Sequence, residues 1–113
     1  MSRDSDGTVL LFDPDPERAS EYAAWLDAHA VRIAADVESG LDALDDEIDV
    51  VLLDAGLIEA DPAATVGRIR ARNGDCQIGL LSGDTSGLSV LGLDVDEYVP
   101  RPIDRDELRE TVA

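Results

Sequence analysis

The chain has 113 residues, 44% of them hydrophobic, which suits one domain with a single core and argues against general disorder. Its net charge is −17, from 26 acidic and nine basic residues, and all nine are Arg. That balance argues against direct nucleic-acid binding and against docking on an anionic membrane, and an acidic, lysine-free surface points to a source that works in concentrated salt.

Residues 1–7 are polar and are expected to be a frayed start, with 8–113 forming the single domain. Residues 8–12 are an apolar run, read as a first strand ending in Asp13. Asp15 is placed to cap a helix and Pro16 to occupy its first turn, where a missing N–H costs nothing. This helix is expected over 16–28, with Ala19, Tyr22, Ala23 and Leu26 on its buried face. Trp25 then flanks that face as packing, and His29 packs at the helix end. A short strand over 31–34 and a helix over 38–46, with Leu41 and Leu44 inward, come next.

Residues 48–54 form the organising strand. Val50 to Leu53 are four aliphatic residues in a row, the pattern of a strand buried on both faces in a parallel sheet. Asp54 ends it, and in open α/β sheets ligands bind beyond the carboxyl ends of the strands. Asp61-Pro62 repeats the cap-plus-proline start and gives a helix to Arg72. Arg68, Arg70 and Arg72 in its last turns suit the helix dipole and salt bridges rather than an anion site. Asn73-Gly74 stops this helix. The single cysteine, Cys76, excludes an intrachain disulfide, and a buried, inert thiol is its expected state.

A fourth strand, 77–82, ends in Ser82. Residues 85–91 make a poor helix, with Gly87 and Ser89 inside it. A fifth strand over 96–99 leads into Pro100-Arg101-Pro102, and Asp104 with Glu107 forms a capping box for a last helix reaching Val112. Strand and helix alternate five times with short connections, the pattern of a doubly wound parallel α/β sheet. The acidic run Asp42, Asp45, Asp46 and Glu47 is read as a solvated face. No signal peptide or membrane span is visible, and a cytoplasmic location is expected.

Asp13, Asp54 and Ser82 thus stand at three strand ends, with Arg101 just after a fourth. Phosphoryl chemistry needs such a set: a carboxylate to accept the group, cations to neutralise its oxygens, and a hydroxyl to bind it. Through Val9-Leu-Leu-Phe-Asp13, Asp15-Pro16, Val50-Val-Leu-Leu-Asp54, Leu80-Leu-Ser82 and Tyr98-Val-Pro-Arg-Pro102, the chain resembles the receiver domain of two-component response regulators, a flavodoxin-like (βα)5 fold. The resemblance covers roughly residues 8–112. It implies Asp54 as phosphoacceptor, Asp13 as an acid near the metal, Ser82 as the switch hydroxyl, and Tyr98 as the aromatic that follows it. Arg101 stands where the family has lysine, and the bond to Pro102 is cis in the family. The implied metal is Mg²⁺, held by Asp13, Asp54 and the backbone carbonyl of Gly56.

The departures are specific. Pro14 replaces the family's second acid, which weakens the metal set, and the Arg101 guanidinium is not interchangeable with an ammonium. Two functions of the same fold therefore stay open. One is a receiver that takes a phosphoryl group from a histidine kinase or phosphotransfer protein. The other is a pseudo-receiver, a phosphorylation-independent interaction module. In either, the partner face is the fourth helix, fifth strand and fifth helix around Tyr98, serving an effector domain, a separate partner or a homodimer. A remote third reading is an enzyme: Asp13-Pro14-Asp15 imitates the nucleophile motif of haloacid-dehalogenase-like phosphatases, a family that needs a lysine. The expectation is a signalling module rather than an enzyme.

Overall fold

The computed structural model describes residues 7–27, 29–58, 61–82, 95–100 and 103–112, with Pro62, Ser82 and Pro100 described by their backbone alone. Five parallel strands, β1 (Thr8–Phe12), β2 (Ala30–Ala34), β3 (Ile48–Asp54), β4 (Gln77–Ser82) and β5 (Glu97–Pro100), form one sheet in the order β2-β1-β3-β4-β5. The helices among the described residues are α1 (Pro16–Trp25), α2 (Val37–Ala43), α3 (Pro62–Arg72) and α4 (Arg105–Val112), with a 3₁₀ turn over Ala55–Leu57. The helix expected over 85–91 lies outside the described residues.

The pleat sends alternate strand residues to opposite faces, and the two halves of the core follow that parity. Leu10, Phe12, Val51, Leu53, Ile78 and Leu80 pack toward α2 and α3, with Leu41, Val66 and Ile69. Val9, Leu11, Val50, Leu52 and Leu81 pack toward α1 and α4, with Tyr22, Leu26 and Leu108. Strands β1 and β3 are thus apolar on both sides, as their unbroken aliphatic runs require. Trp25 joins the second half from its flank, with its ring 5.5 Å from that of Tyr22.

The helix starts follow their caps. Asp15 accepts from the N–H groups of Glu17 and Arg18, Asp36 from that of Ser39, Asp61 from that of Ala64, and Asp104 from that of Glu107. The Ser39 N–H also holds the Asp36 carboxyl below its usual pKa. The helix ends differ from expectation. α1 stops at Trp25 rather than residue 28, with Leu26 leaving helical geometry as its cap and remaining buried. α2 stops at Ala43 rather than residue 46: Leu44 turns extended to bury its side chain, and Asp45 takes the N–H of Glu47 into a local turn that competes with the helix. β5 runs one residue further than expected, into Pro100, which an edge strand tolerates.

Asn73 ends α3 in an extended conformation, not the left-handed one that an Asn-Gly stop suggests. Its buried amide donates to the carbonyls of Asp45 and Ile48 and accepts from the N–H groups of Asp75 and Cys76. The Arg trio acts as salt-bridge and carbonyl-binding chemistry. Arg68 pairs with Glu38 at 2.9 Å, Arg70 with Asp96 at 3.0 Å, and Arg72 donates to the carbonyl of Leu41. Asp42, Asp45, Asp46 and Glu47 are exposed, and Arg32 pairs with Asp45 and Glu47. Cys76 is buried and free, and burial pushes its thiol pKa up. No helix among the described residues is long and apolar enough to cross a membrane.

Candidate functional site

The register of the sheet brings the expected residues to one edge. Phe12 pairs with Leu53, so the next residues, Asp13 and Asp54, end neighbouring strands. Asp54 pairs with Leu81, so Ser82 follows directly on the other side, and Ser82 pairs with Pro100. Asp13 continues the parity of Val9 and Leu11, and Asp54 that of Val50 and Leu52, which places both carboxylates on the α1 side of the sheet. Both are buried, Asp13 at 1% and Asp54 at 4% exposure.

Two buried carboxylates on adjacent strands repel each other and need a cation. Arg18, in the first turn of α1, supplies it. Its Nε donates to Asp13 Oδ2 at 2.8 Å and its Nη2 to Asp13 Oδ1 at 2.6 Å, a bidentate pair. The same Nη2 lies 3.8 Å from Asp54 Oδ1. The hydrogen bond to Asp13 raises the guanidinium pKa above its ordinary value and keeps the charge fixed. Asp13 Oδ1 also accepts from the N–H of Asp15, a local turn that aims the carboxylate into the pocket.

The other oxygen of Asp54 faces Gly56. A Cβ at Gly56 would come within 3.0 Å of Asp54 Oδ2, so the missing side chain leaves room beside that oxygen. The pocket is therefore two-sided, with Arg18 on the Oδ1 side and the glycine turn on the Oδ2 side.

Tyr98 is 41% exposed on the edge strand β5. Arg101 and Pro102 lie outside the described residues, as does the side chain of Ser82. Arg18 is the residue that the sequence reading missed. The signal was there: a cation in the first turn of a helix opposes the macrodipole, and such a placement needs nearby anions to offset it.

The donor set expected for Mg²⁺ is committed differently. Both oxygens of Asp13 are held by Arg18, and Pro14 offers no carboxylate. Among the described residues, no three Asp, Glu, His or Cys side chains gather as a metal cage. With Arg18 in place the pocket does not fit a divalent ion.

An open, doubly wound parallel sheet with strand order 2-1-3-4-5, with the candidate residues at its carboxyl edge, defines the flavodoxin-like class. No protein-family model matches the chain. Among solved structures, a CheY-like receiver domain from Methanospirillum hungatei superposes with a TM-score of 0.82 at 20% identity, over 94% of this chain and 90% of that one. A receiver domain from Clostridium thermocellum gives 0.81 at 17% identity, over 94% and 90%. In sequence, the chain is 34% identical over 104 residues to the transcriptional regulatory protein CpxR of Escherichia coli K12, covering 88% of this chain and 45% of CpxR. It is 31% identical over 112 residues to a candidate transcriptional regulator of Haloferax volcanii, covering 97% of this chain and 19% of that protein. The chain thus spans less than half the length of these relatives, and the Haloferax likeness agrees with the halophilic composition. The fold is that of response-regulator receiver domains, and the sequence is similar over most of this chain to transcriptional regulators.

Proposed function

We propose that the chain works in the cytoplasm as a receiver module of a two-component phosphorelay. In this reading Asp54 accepts a phosphoryl group from the phosphohistidine of a histidine kinase or phosphotransfer protein. One observation carries it: Asp54 is a buried carboxylate at the end of the central strand, with the Arg18 guanidinium beside Oδ1 and a glycine, Gly56, beside Oδ2. An Asp54 oxygen forms the new O–P bond as the N–P bond of phosphohistidine breaks, and the released imidazole takes up a proton. Ser82 and Arg101 bind the transferred group, and Tyr98 on exposed β5 reports it to the face shared with the last helix. The bond to Pro102 is cis in this reading. An effector domain, a separate partner or a second copy docks on that face. Because the curated relatives are transcriptional regulators by name, the proposed output is transcription through an effector and not through DNA contacts of this acidic chain.

The test is incubation with a small-molecule phosphodonor in high salt, read by intact mass beside Asp54→Asn. A gain of one phosphoryl group in the wild type and none in the variant is expected. Absence of any adduct, with and without Mg²⁺, would overturn the reading.

A second reading, the phosphorylation-independent interaction module, is favoured by the Arg18 clamp, which holds both oxygens of Asp13 without any incoming ligand. It predicts partner binding that is unchanged in Asp54→Asn. The phosphatase reading finds no support, because the Asp15 carboxylate is committed to capping α1 instead of facing the pocket.

A further inference from the structure

We propose that the Arg18 guanidinium is the resident cation of the Asp13–Asp54 pocket, and that a divalent ion enters only by displacing it. The inference rests on the receiver reading for what the pocket is, but its test does not require a phosphoryl group to be accepted.

Three observations carry it. First, one nitrogen serves both acids: Arg18 Nη2 is 2.6 Å from Asp13 Oδ1 and 3.8 Å from Asp54 Oδ1. An ion shared by these two Oδ1 atoms would sit in that gap, and Mg²⁺ at about 2.0–2.1 Å from its oxygens would overlap the N–H group already there. Second, the Asp13 side chain is 0% exposed while that of Arg18 is 32% exposed. The buried anion cannot turn to water for compensation, whereas the cation has a route outward along its flexible stem. Third, the chain has Pro14 at the position next to Asp13, so among the described residues a metal would meet two pocket carboxylates and one guanidinium, not a cluster of acids. Among the described residues, Arg18 offsets one of the two negative charges of the pocket. Asp54 can then meet an anionic phosphoryl group beside a cation that is part of the chain.

The experiment measures Mn²⁺ binding by electron paramagnetic resonance in concentrated KCl, which suppresses weak binding to the acidic surface. Wild type, Arg18→Gln and Arg18→Lys are compared, each with and without Asp54→Asn, after confirming a cooperative melt. Wild type and Arg18→Lys are expected to show no Asp54-dependent site. Arg18→Gln is expected to gain one, roughly tenfold tighter or more, as the strength of unit-charge pairs at ~4 Å near a surface implies. Asp54→Asn should abolish it. Equal Asp54-dependent binding in wild type and Arg18→Gln, or no gain in a folded Arg18→Gln, overturns the inference.

A second measurement uses the wild type alone. The ¹H–¹⁵N signal of Arg18 Nε is followed during Mg²⁺ titration. Asp54-dependent Mg²⁺ binding that leaves this signal unmoved would refute competition, and loss of the signal on binding would support it. The receiver reading fails separately, by absence of an Asp54 adduct under every condition. An adduct that forms in the wild type and survives EDTA supports the resident cation, and one that requires Mg²⁺ while Mn²⁺ also binds the wild type refutes it.

Discussion

Arg18 lies beside one oxygen of Asp54 and Gly56 beside the other, and both bear on how a small group can approach. Gly56 has no need of its own backbone freedom, since Gly7 is the only described residue with positive φ. Alanine is therefore tolerated by the turn, and its effect should be confined to the carboxylate that its Cβ would approach within 3.0 Å. Gly56→Ala is expected to slow Asp54 adduct formation about tenfold or more while changing stability by no more than about 0.5 kcal/mol. Intact mass against time and a thermal melt check the two halves, and an unchanged rate would show that the group arrives from another side. Asn73 is the converse case, a residue of structure alone. All four hydrogen bonds of its buried amide are made, tying the start of β4 to the loop before β3. Asn73→Ala should cost about 2–4 kcal/mol in urea denaturation, because buried carbonyls and N–H groups lose their partners. A loss below about 1 kcal/mol would mean that water enters and replaces the amide. The sequence marks Arg18 only as a cation ill-suited to a first helical turn, and Asn73 only as a helix stop. Local patterns give them helix-end roles, whereas their partners lie on other strands and loops that only the folded sheet brings near.

At the scale of elements, the strands were read nearly to the residue and the helices less well. β1, β3 and β4 are buried apolar runs closed by a polar residue, so burial alone fixes both their type and their ends. Helix starts were equally plain, since Asp15-Pro16 and Asp61-Pro62 combine a cap with a residue that suits the first turn. Helix ends were not, because the extended turn of Leu44 answers to the core and not to local propensity. The close approach of α2 to β1 was also hidden. A Cβ at Gly40 would fall within 2.0 Å of Phe12 Cε2, so the helix sits on the ring with only a hydrogen between them. Helix propensity alone predicts that Gly40→Ala stabilises the protein by up to about 1 kcal/mol. The packing predicts the opposite sign, a net loss of about 1–3 kcal/mol as α2 or Phe12 is forced aside. Equilibrium denaturation decides between them, and a stabilised variant would show that α2 can shift at little cost.

At the scale of the whole molecule, the dominant fact is a net charge of −17 on 113 residues. The ion pairs among the described residues are mostly surface pairs, such as Arg32–Asp45 and Arg68–Glu38, and such pairs contribute about 0–1 kcal/mol each. They cannot offset the repulsion among 26 acids served by nine arginines. Screening can, because the Debye length falls from about 10 Å at 0.1 M salt to about 3 Å at 1 M. The melting temperature is therefore expected to climb steadily from 0.1 to 2 M KCl. Salt also strengthens apolar burial, so a control has to separate the two effects. Glu21, Asp42 and Asp46 are exposed. Neutralising all three, as Glu21→Gln, Asp42→Asn and Asp46→Asn, lowers the charge from −17 to −14 and leaves the core untouched. If repulsion governs the salt response, the triple variant melts higher than wild type at 0.1 M KCl and gains less from added salt, so the two curves converge by 2 M. Parallel curves would assign the response to apolar burial and leave the acidic surface without a role in stability.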